Sequence, residues 1–583
     1  MSEQNDQSQV QNKDSIINKF SPRQLKLIGI GAAAFVVVVA LVLISVISFA
    51  GPNITVPGDH RTIQEAIDGA EDGDEILVDP GVYYEQIDFL GKDITVRSSD
   101  PDDPEVVAET IIDGRKRGSV VTFQNGESND AVLKGFTITS GTGSRKSVTY
   151  EEAGETITEE GFYGGGVFIA GSSSPTITQN VIANNNADLD GGGIAVLEGS
   201  NPLINDNTIE NNQSTSGGGI TVLESNPIIE NNIIQENDAE YLGAGILVDY
   251  DSSPSISGND LNNNSGTSGG AIAVWSADPL ISENTLHRNK AIWFGGGIAV
   301  FGGSANIDSN DISRNTAENN GGGIAVSEGG NPDISNNTIM KNYTEENGGG
   351  IAILEGSEPV VFNNTITDNA VLYGGGGIYV KGSSPTIDDN TVSGNLVQQD
   401  GGGIAVLENS TASLAGNIID DNGAGRAGGG LVLAGESTLV FNDNTVSDNR
   451  ALTGGGIIVQ TSTIEMERNI ISGNQAGSQS GGGIILVANS TATVTNNEFI
   501  ENIAHETGGA LVAFEQSTVT LSENVFIRNE AELAGAFIGY GDASIELNDP
   551  DDNTYEDNVP DDIDPDQEAP DDTEPDLEED END

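Results

Sequence analysis

The sequence predicts an all-β chain: a parallel β-helix solenoid of 26–27-residue coils, led by a cap helix. Three observations carry this. The apolar residue that follows a glycine pair or triplet recurs at 194, 220, 246, 272, 298 and onward to 537, always 26 or 27 residues apart. A second mark, Asn-x-apolar-x-x-Asn, travels with it from Asn180 to Asn529. The runs between the marks, such as Ile194-Ala-Val196 and Pro202-Leu-Ile204, are short and β-prone, and no window keeps an apolar 3.6-residue period.

Each part of the repeat has a structural reason. Three short strands and three turns fit one coil, and neighbouring coils pair at about 4.8 Å. Ile and Val point inward and stack. An Asn at fixed phase suits a left-handed turn and builds an amide ladder along the rod. Glycine supplies positive φ and close approach at the corners. The glycines are not a phosphate loop, because no Gly-Lys-Ser/Thr and no helix follow them.

Composition narrows the function classes. The chain has 583 residues, 91 Asp and Glu against 22 Lys and Arg, and a formal charge of −69. That balance argues against a nucleic-acid partner. With no Cys, disulfides and thiolate metal sites are excluded.

The ends differ from the middle. Residues 1–26 are polar and carry Lys13, Lys19, Arg23 and Lys26. Residues 27–50 are apolar and uncharged, long enough to cross a bilayer. The basic flank predicts a single-pass cell-membrane protein with a cytoplasmic N-terminus and an extracytoplasmic bulk. The rival reading is a cleaved signal peptide, with Ser48-Phe-Ala50 as its small-residue site. Residues 51–163 are read as cap and first coils, 164–545 as regular repeats, and 546–583 as a disordered acidic tail. Thr62 to Ala70 forms a short helix with Ile63, Ala66 and Ile67 on one face. Strands follow at 75–79, 80–84 and 93–97. The segment from Gly143 to Gly161 breaks the period and is read as an irregular charged loop.

The stretch from Thr62 to Pro101, followed by Ile111-Ile-Asp-Gly114, resembles the opening of right-handed β-helix proteins of the pectin-lyase-like superfamily. The Gly-Gly-Gly-Ile marks, with Phe499-Ile-Glu-Asn502 and Phe526-Ile-Arg-Asn529, are similar to repeats of chlamydial-type polymorphic outer-membrane proteins. The first resemblance implies a right-handed solenoid and the second a surface protein with adhesive roles. This chain ends in an acidic tail rather than the membrane barrel of the second family.

Departures from the repeat point to candidate sites. Arg288, Arg314 and Lys341 occupy one phase of successive coils, with His287 and Lys290 beside them. Stacked cations suit an acidic polysaccharide, since Arg pairs carboxylates in bidentate fashion. Trp275, Trp293 and Tyr250 mark an aromatic zone with Tyr241, Phe294 and Phe301, a platform for sugar faces. Overlap with the basic row draws attention to residues 241–341. Glu198, Glu224, Glu328, Glu355 and Glu408 form an acidic row, with Lys381 nearby. Such a row recruits a cation, and the superfamily resemblance implies Ca²⁺ there, with a Lys or Arg taking a proton. Asn212, Asn342 and Asn409 lie in glycosylation sequons.

Three functions remain open at this point. The expected one is a membrane-anchored binder of extracellular or cell-wall polysaccharide, or an adhesin. The alternatives are a lyase or hydrolase of an acidic polysaccharide, and a structural envelope spacer. No catalytic set stands out: His60, His287 and His505 are scattered.

Overall fold

The computed structural model describes residues 53–152, 155–549 and 552–560. The expected cytoplasmic segment 1–26, the anchor 27–50 and residues 561–583 of the expected tail lie outside these. Among the described residues no helix is long and apolar enough to cross a membrane.

One coil shows how the chain is wound. Ile194–Val196 lies in sheet 1, Leu203–Asn205 in sheet 2 and Thr208–Glu210 in sheet 3. A fourth strand, Gln213–Ser214, lies in sheet 4. The next coil stacks in parallel register, Ile194 on Ile220, Leu203 on Ile228, Thr208 on Ile233 and Gln213 on Asp238. Among the described residues, sheet 2 gathers 19 strands and sheet 4 gathers 12. The sequence predicted three strands per coil. The fourth escaped because it is only two residues long in most coils, and its outward residue varies from Gln213 to Asp238 to Lys290.

The core is one continuous stack. Ile194, Val196, Ile204 and Ile209 are fully buried, as are Ile220, Val222, Ile229 and Ile234 beneath them. It runs from Val56 to Phe537. Each Val, Leu or Ile so buried contributes roughly 1.5–3 kcal/mol, and the period sets four of them above four in these two coils.

Two Asn ladders hold the corners on either side of sheet 3. The backbone N–H and the Nδ2 of Asn207 both donate to Asn232 Oδ1, at 3.0 and 3.1 Å. The Nδ2 also donates to Ile177 O at 2.8 Å in the coil before. Asn212 repeats the pattern with Asn237 and Ile182. These side chains are about 1 % exposed and fully partnered, which is what a buried amide requires. Asn212 and Asn342 are ladder residues, so their sequons are closed to glycosylation. A serine column links the turns after sheet 1, Ser200 N–H to Ser225 Oγ and Ser225 N–H to Ser252 Oγ, each 3.2 Å.

The glycine mark is steric. Gly191 has φ +69°, and a Cβ there would lie 2.5 Å from Ile194 O. A Cβ on Gly193 would lie 2.5 Å from Gly219 O of the next coil. Neither position accepts a side chain at coil spacing.

At the N-terminal end, α1 (Ile63–Gly69) is capped by Thr62, whose Oγ1 accepts the Glu65 N–H at 3.1 Å. It buries Ile63, Ala66 and Ile67 in the core, as their spacing predicts. The strands expected nearby appear as Glu75–Val78, Gly81–Tyr83 and Thr95–Ser98. At the other end, coils continue past residue 545. Thr554–Glu556 pairs with Val525–Ile527, and Tyr555 stacks on Phe526 at 5.5 Å. The acidic composition there hides one more coil, so the expected tail boundary moves beyond it.

The segment read as an irregular loop is an antiparallel hairpin, Ser144–Glu152 with Glu155–Tyr163. Its Val148 joins an apolar cluster with Phe168, Ala195, Leu197 and Leu223. Lys146 Nζ meets Glu198 Oε1 at 2.6 Å.

Candidate functional site

The site grows from the outer face of sheet 1. The middle residue of each strand points away from the core and is small through several coils: Ala273, Ala299, Ala325 and Ala352. Each is at most 1 % exposed, so side chains from both flanks close over it. One flank is the end of sheet 1, with Trp275 and Phe301 in register. The other is the end of sheet 4, with Trp293 and Phe294.

The alanine floor lets the flanks meet. Trp275 and Phe301 have ring centroids 5.3 Å apart, and Phe301 meets Phe294 edge-on at 5.7 Å. Phe294 lies 6.5 Å from Trp293, which is 53 % exposed. The four rings make one chain from one flank to the other, a geometry favourable beyond the area it buries.

Over the following coils this surface opens into a cleft of about 330 Å³. Phe294, Leu354 and Tyr379 give it apolar walls. Asn320, Asn347, Glu346, Glu355, Lys381 and Glu408 give it polar ones. Lys381 Nζ is 2.8 Å from Glu408. The Ser327 hydroxyl donates to Glu355 at 2.6 Å and fixes that carboxylate. Asn347 donates to Asn320 at 3.3 Å, continuing the wall.

Tyr379 takes the place that alanine holds in neighbouring coils. It is 5 % exposed, and its hydroxyl has no hydrogen-bond partner among the described residues. Burial, with the Glu408 and Glu346 carboxylates adding to it, pushes the phenol above its ordinary range, so it stays protonated. An unpartnered hydroxyl on a cleft wall is ready to bond a ligand.

The sequence candidates divide. Trp275 shares in the aromatic chain, Trp293 forms its outer end, and Glu355 lines the cleft. Glu408 and Lys381 line it too. Tyr379, Glu346, Asn320 and Asn347 were missed; the Tyr379 departure from the Gly-Ile-Ala-Val consensus is the signal that reveals it. Glu198 binds Lys146 and the Gly171 N–H, and so anchors the hairpin. Glu224 is exposed on the following coil. Glu328 holds the same turn position, with φ 54°. Tyr250 shares that turn position and packs against the hairpin's apolar cluster rather than the aromatic chain. Among the described residues no three acidic or histidine side chains are grouped to hold a metal ion.

The basic row does not join the groove. Arg288, Arg314 and Lys341 are exposed left-handed residues in the turn between sheets 3 and 4, whereas Trp275 ends sheet 1. Sequence proximity suggested overlap, but the winding sends the two features to different corners of the coil. Lys341 is 4.0 Å from Asp368, and Lys290 is 3.3 Å from Glu318. His287 Nε2 is 3.1 Å from Asp260. Arg288 and Arg314 have no ion pair within 4 Å among the described residues.

Comparison with known proteins gives one family. No curated protein sequence matches this chain. Two solved structures align with 86 % of it. One is the PL6 family alginate lyase AlyGC, at 12 % identity over 99 % of that chain, with a TM-score of 0.30. The other is a mutant of the same lyase, at 13 % identity over 100 % of that chain, with a TM-score of 0.24. The family described as "Right handed beta helix region" matches residues 119–291, 271–427, 369–499 and 425–560. The matched segments run over the same coils that carry the ladders and the cleft, and the chain belongs to the right-handed β-helix family.

Proposed function

We propose that the protein binds a carbohydrate polymer along the outer face of sheet 1, with its main subsite between Trp275 and Glu408. The observation that carries this reading is the ring chain from Trp275 to Trp293, leading into a cleft where the Tyr379 hydroxyl lacks a partner. Sugars offer apolar C–H faces to aromatic rings and hydroxyls to amides and carboxylates; such mixed linings are typical of ligand clefts. A solenoid repeats its surface every coil, which suits a repeating polymer. With the anchor expected at residues 27–50, the groove would lie on the extracytoplasmic side of the membrane.

The test is retention of the full-length protein on immobilised polysaccharides. Tyr379→Phe removes one hydroxyl and keeps the ring; it weakens retention about tenfold, the effect of one buried hydrogen bond. Trp275→Ala weakens it further. Both keep the native circular dichroism. Undiminished retention in both variants removes the groove from the argument. Release of shortened sugar chains, abolished by Glu355→Gln, would replace the binding reading with an enzymatic one.

A further inference from the structure

We infer that the cleft beside Tyr379 selects sugars carrying a protonated amine, such as a glucosamine polymer, over neutral sugars and over uronates. This rests on the carbohydrate-binding reading and names its ligand class. Three carboxylates line the cleft, Glu346, Glu355 and Glu408, against one cation, Lys381. Lys381 is already engaged with Glu408 at 2.8 Å. Glu355 is oriented by a neutral donor, the Ser327 hydroxyl, and neither it nor Glu346 has a cationic partner among the described residues.

The carboxylates are not a bare acidic cluster. They line the same cleft as Tyr379, a side chain only 5 % exposed whose hydroxyl has no hydrogen-bond partner among the described residues. Phe294 and Leu354 offer the apolar wall, the Tyr379 hydroxyl and the Asn320–Asn347 amides offer hydroxyl partners, and Glu346 with Glu355 supplies the countercharge. The unpaired arginines that would suit a uronate, Arg288 and Arg314, sit in the turn between sheets 3 and 4, away from this cleft. A unit charge held close to a carboxylate near a protein surface feels a Coulomb interaction whose direction is set by its sign. The sign favours an amine and opposes a uronate.

The experiment measures binding of the full-length protein to three oligosaccharide probes of equal length at about pH 6, where carboxylates are ionised and amines protonated. They are a glucosamine oligomer, its N-acetylated neutral counterpart and a galacturonate oligomer, the last with and without Ca²⁺. The expected result is glucosamine binding about tenfold tighter than the N-acetylated probe at low salt, the advantage shrinking as salt is added. The double substitution Glu346→Gln with Glu355→Gln removes that advantage and leaves the neutral probe unaffected. Glu224→Gln, outside the cleft, changes nothing. Equal binding of the two glucosamine forms, lost in Tyr379→Phe, overturns the amine selectivity while the groove survives. Tightest binding by galacturonate with Ca²⁺ overturns it in favour of a cation bridge. Failure of all three probes to bind sinks both the selectivity and the groove.

Discussion

At the scale of single residues, the buried amides decide stability more than the surface charges do. Asn337 accepts the backbone N–H and Nδ2 of Asn310 and donates to Ile307 O and Asn364 Oδ1. Asn337→Ala therefore strands donors and a carbonyl that water does not reach, each costing about 1–3 kcal/mol. We expect a loss of at least 3 kcal/mol in urea unfolding, roughly the sum of two such groups. Asp333→Ala, an exposed strand position on the same coil, should change it by less than about 0.5 kcal/mol. Equal effects would mean that the ladder is ornamental. This role was legible in the sequence, because a polar residue held at fixed phase through fourteen repeats has few physical uses. Tyr379 was harder to read: one letter out of consensus does not reveal that its hydroxyl is left without a partner.

At the scale of elements, the hairpin is where pattern reading failed. Charged residues such as Arg145, Lys146 and Glu160 obscure its alternation, and its long strands have no counterpart in other coils. Two of the contacts that hold it differ in magnitude. The Lys146–Glu198 pair is about one-third exposed on both sides, which limits it to about 0–1 kcal/mol. Val148 is 7 % exposed, worth about 1.5–3 kcal/mol. The hairpin also helps bury Asp190, whose carboxyl is pushed well above its usual range by desolvation and by Glu159 and Asp249. Val148→Asp should open the hairpin to limited proteolysis while the rod's melting transition persists. Lys146→Ala should leave it resistant. Rapid cleavage of the Lys146→Ala protein would show that the ion pair, not the valine, holds the element. The fourth sheet was hidden for a different reason. Its signal is a column of small residues, Ser214, Ala239, Ala291 and Ala317, two places after the ladder Asn, too brief to register as a strand.

At the scale of the whole molecule, the chain carries a formal charge of −69, and among the described residues part of it falls on turns whose positions repeat every coil. Like charges at one phase, such as Asp421 and Asp448, therefore face each other from coil to coil. Raising salt from about 0.01 M to about 1 M shortens the screening length from about 30 Å to about 3 Å, below the coil spacing. The melting temperature should rise across that range, and a fall would show that the ion pairs outweigh the repulsion.

The asparagine columns have one further consequence. Each bond from one ladder asparagine to another runs from an amide hydrogen to the side-chain oxygen of the Asn in the later coil, while the same Nδ2 holds a carbonyl of the coil before. At the far end the Asn553 amide nitrogen has no partner among the described residues. A finished turn thus always offers a row of waiting hydrogens, and the turn after it has only to bring an oxygen. Assembly acquires a direction: each completed turn is the mould for its successor, in the same order in which a ribosome delivers them.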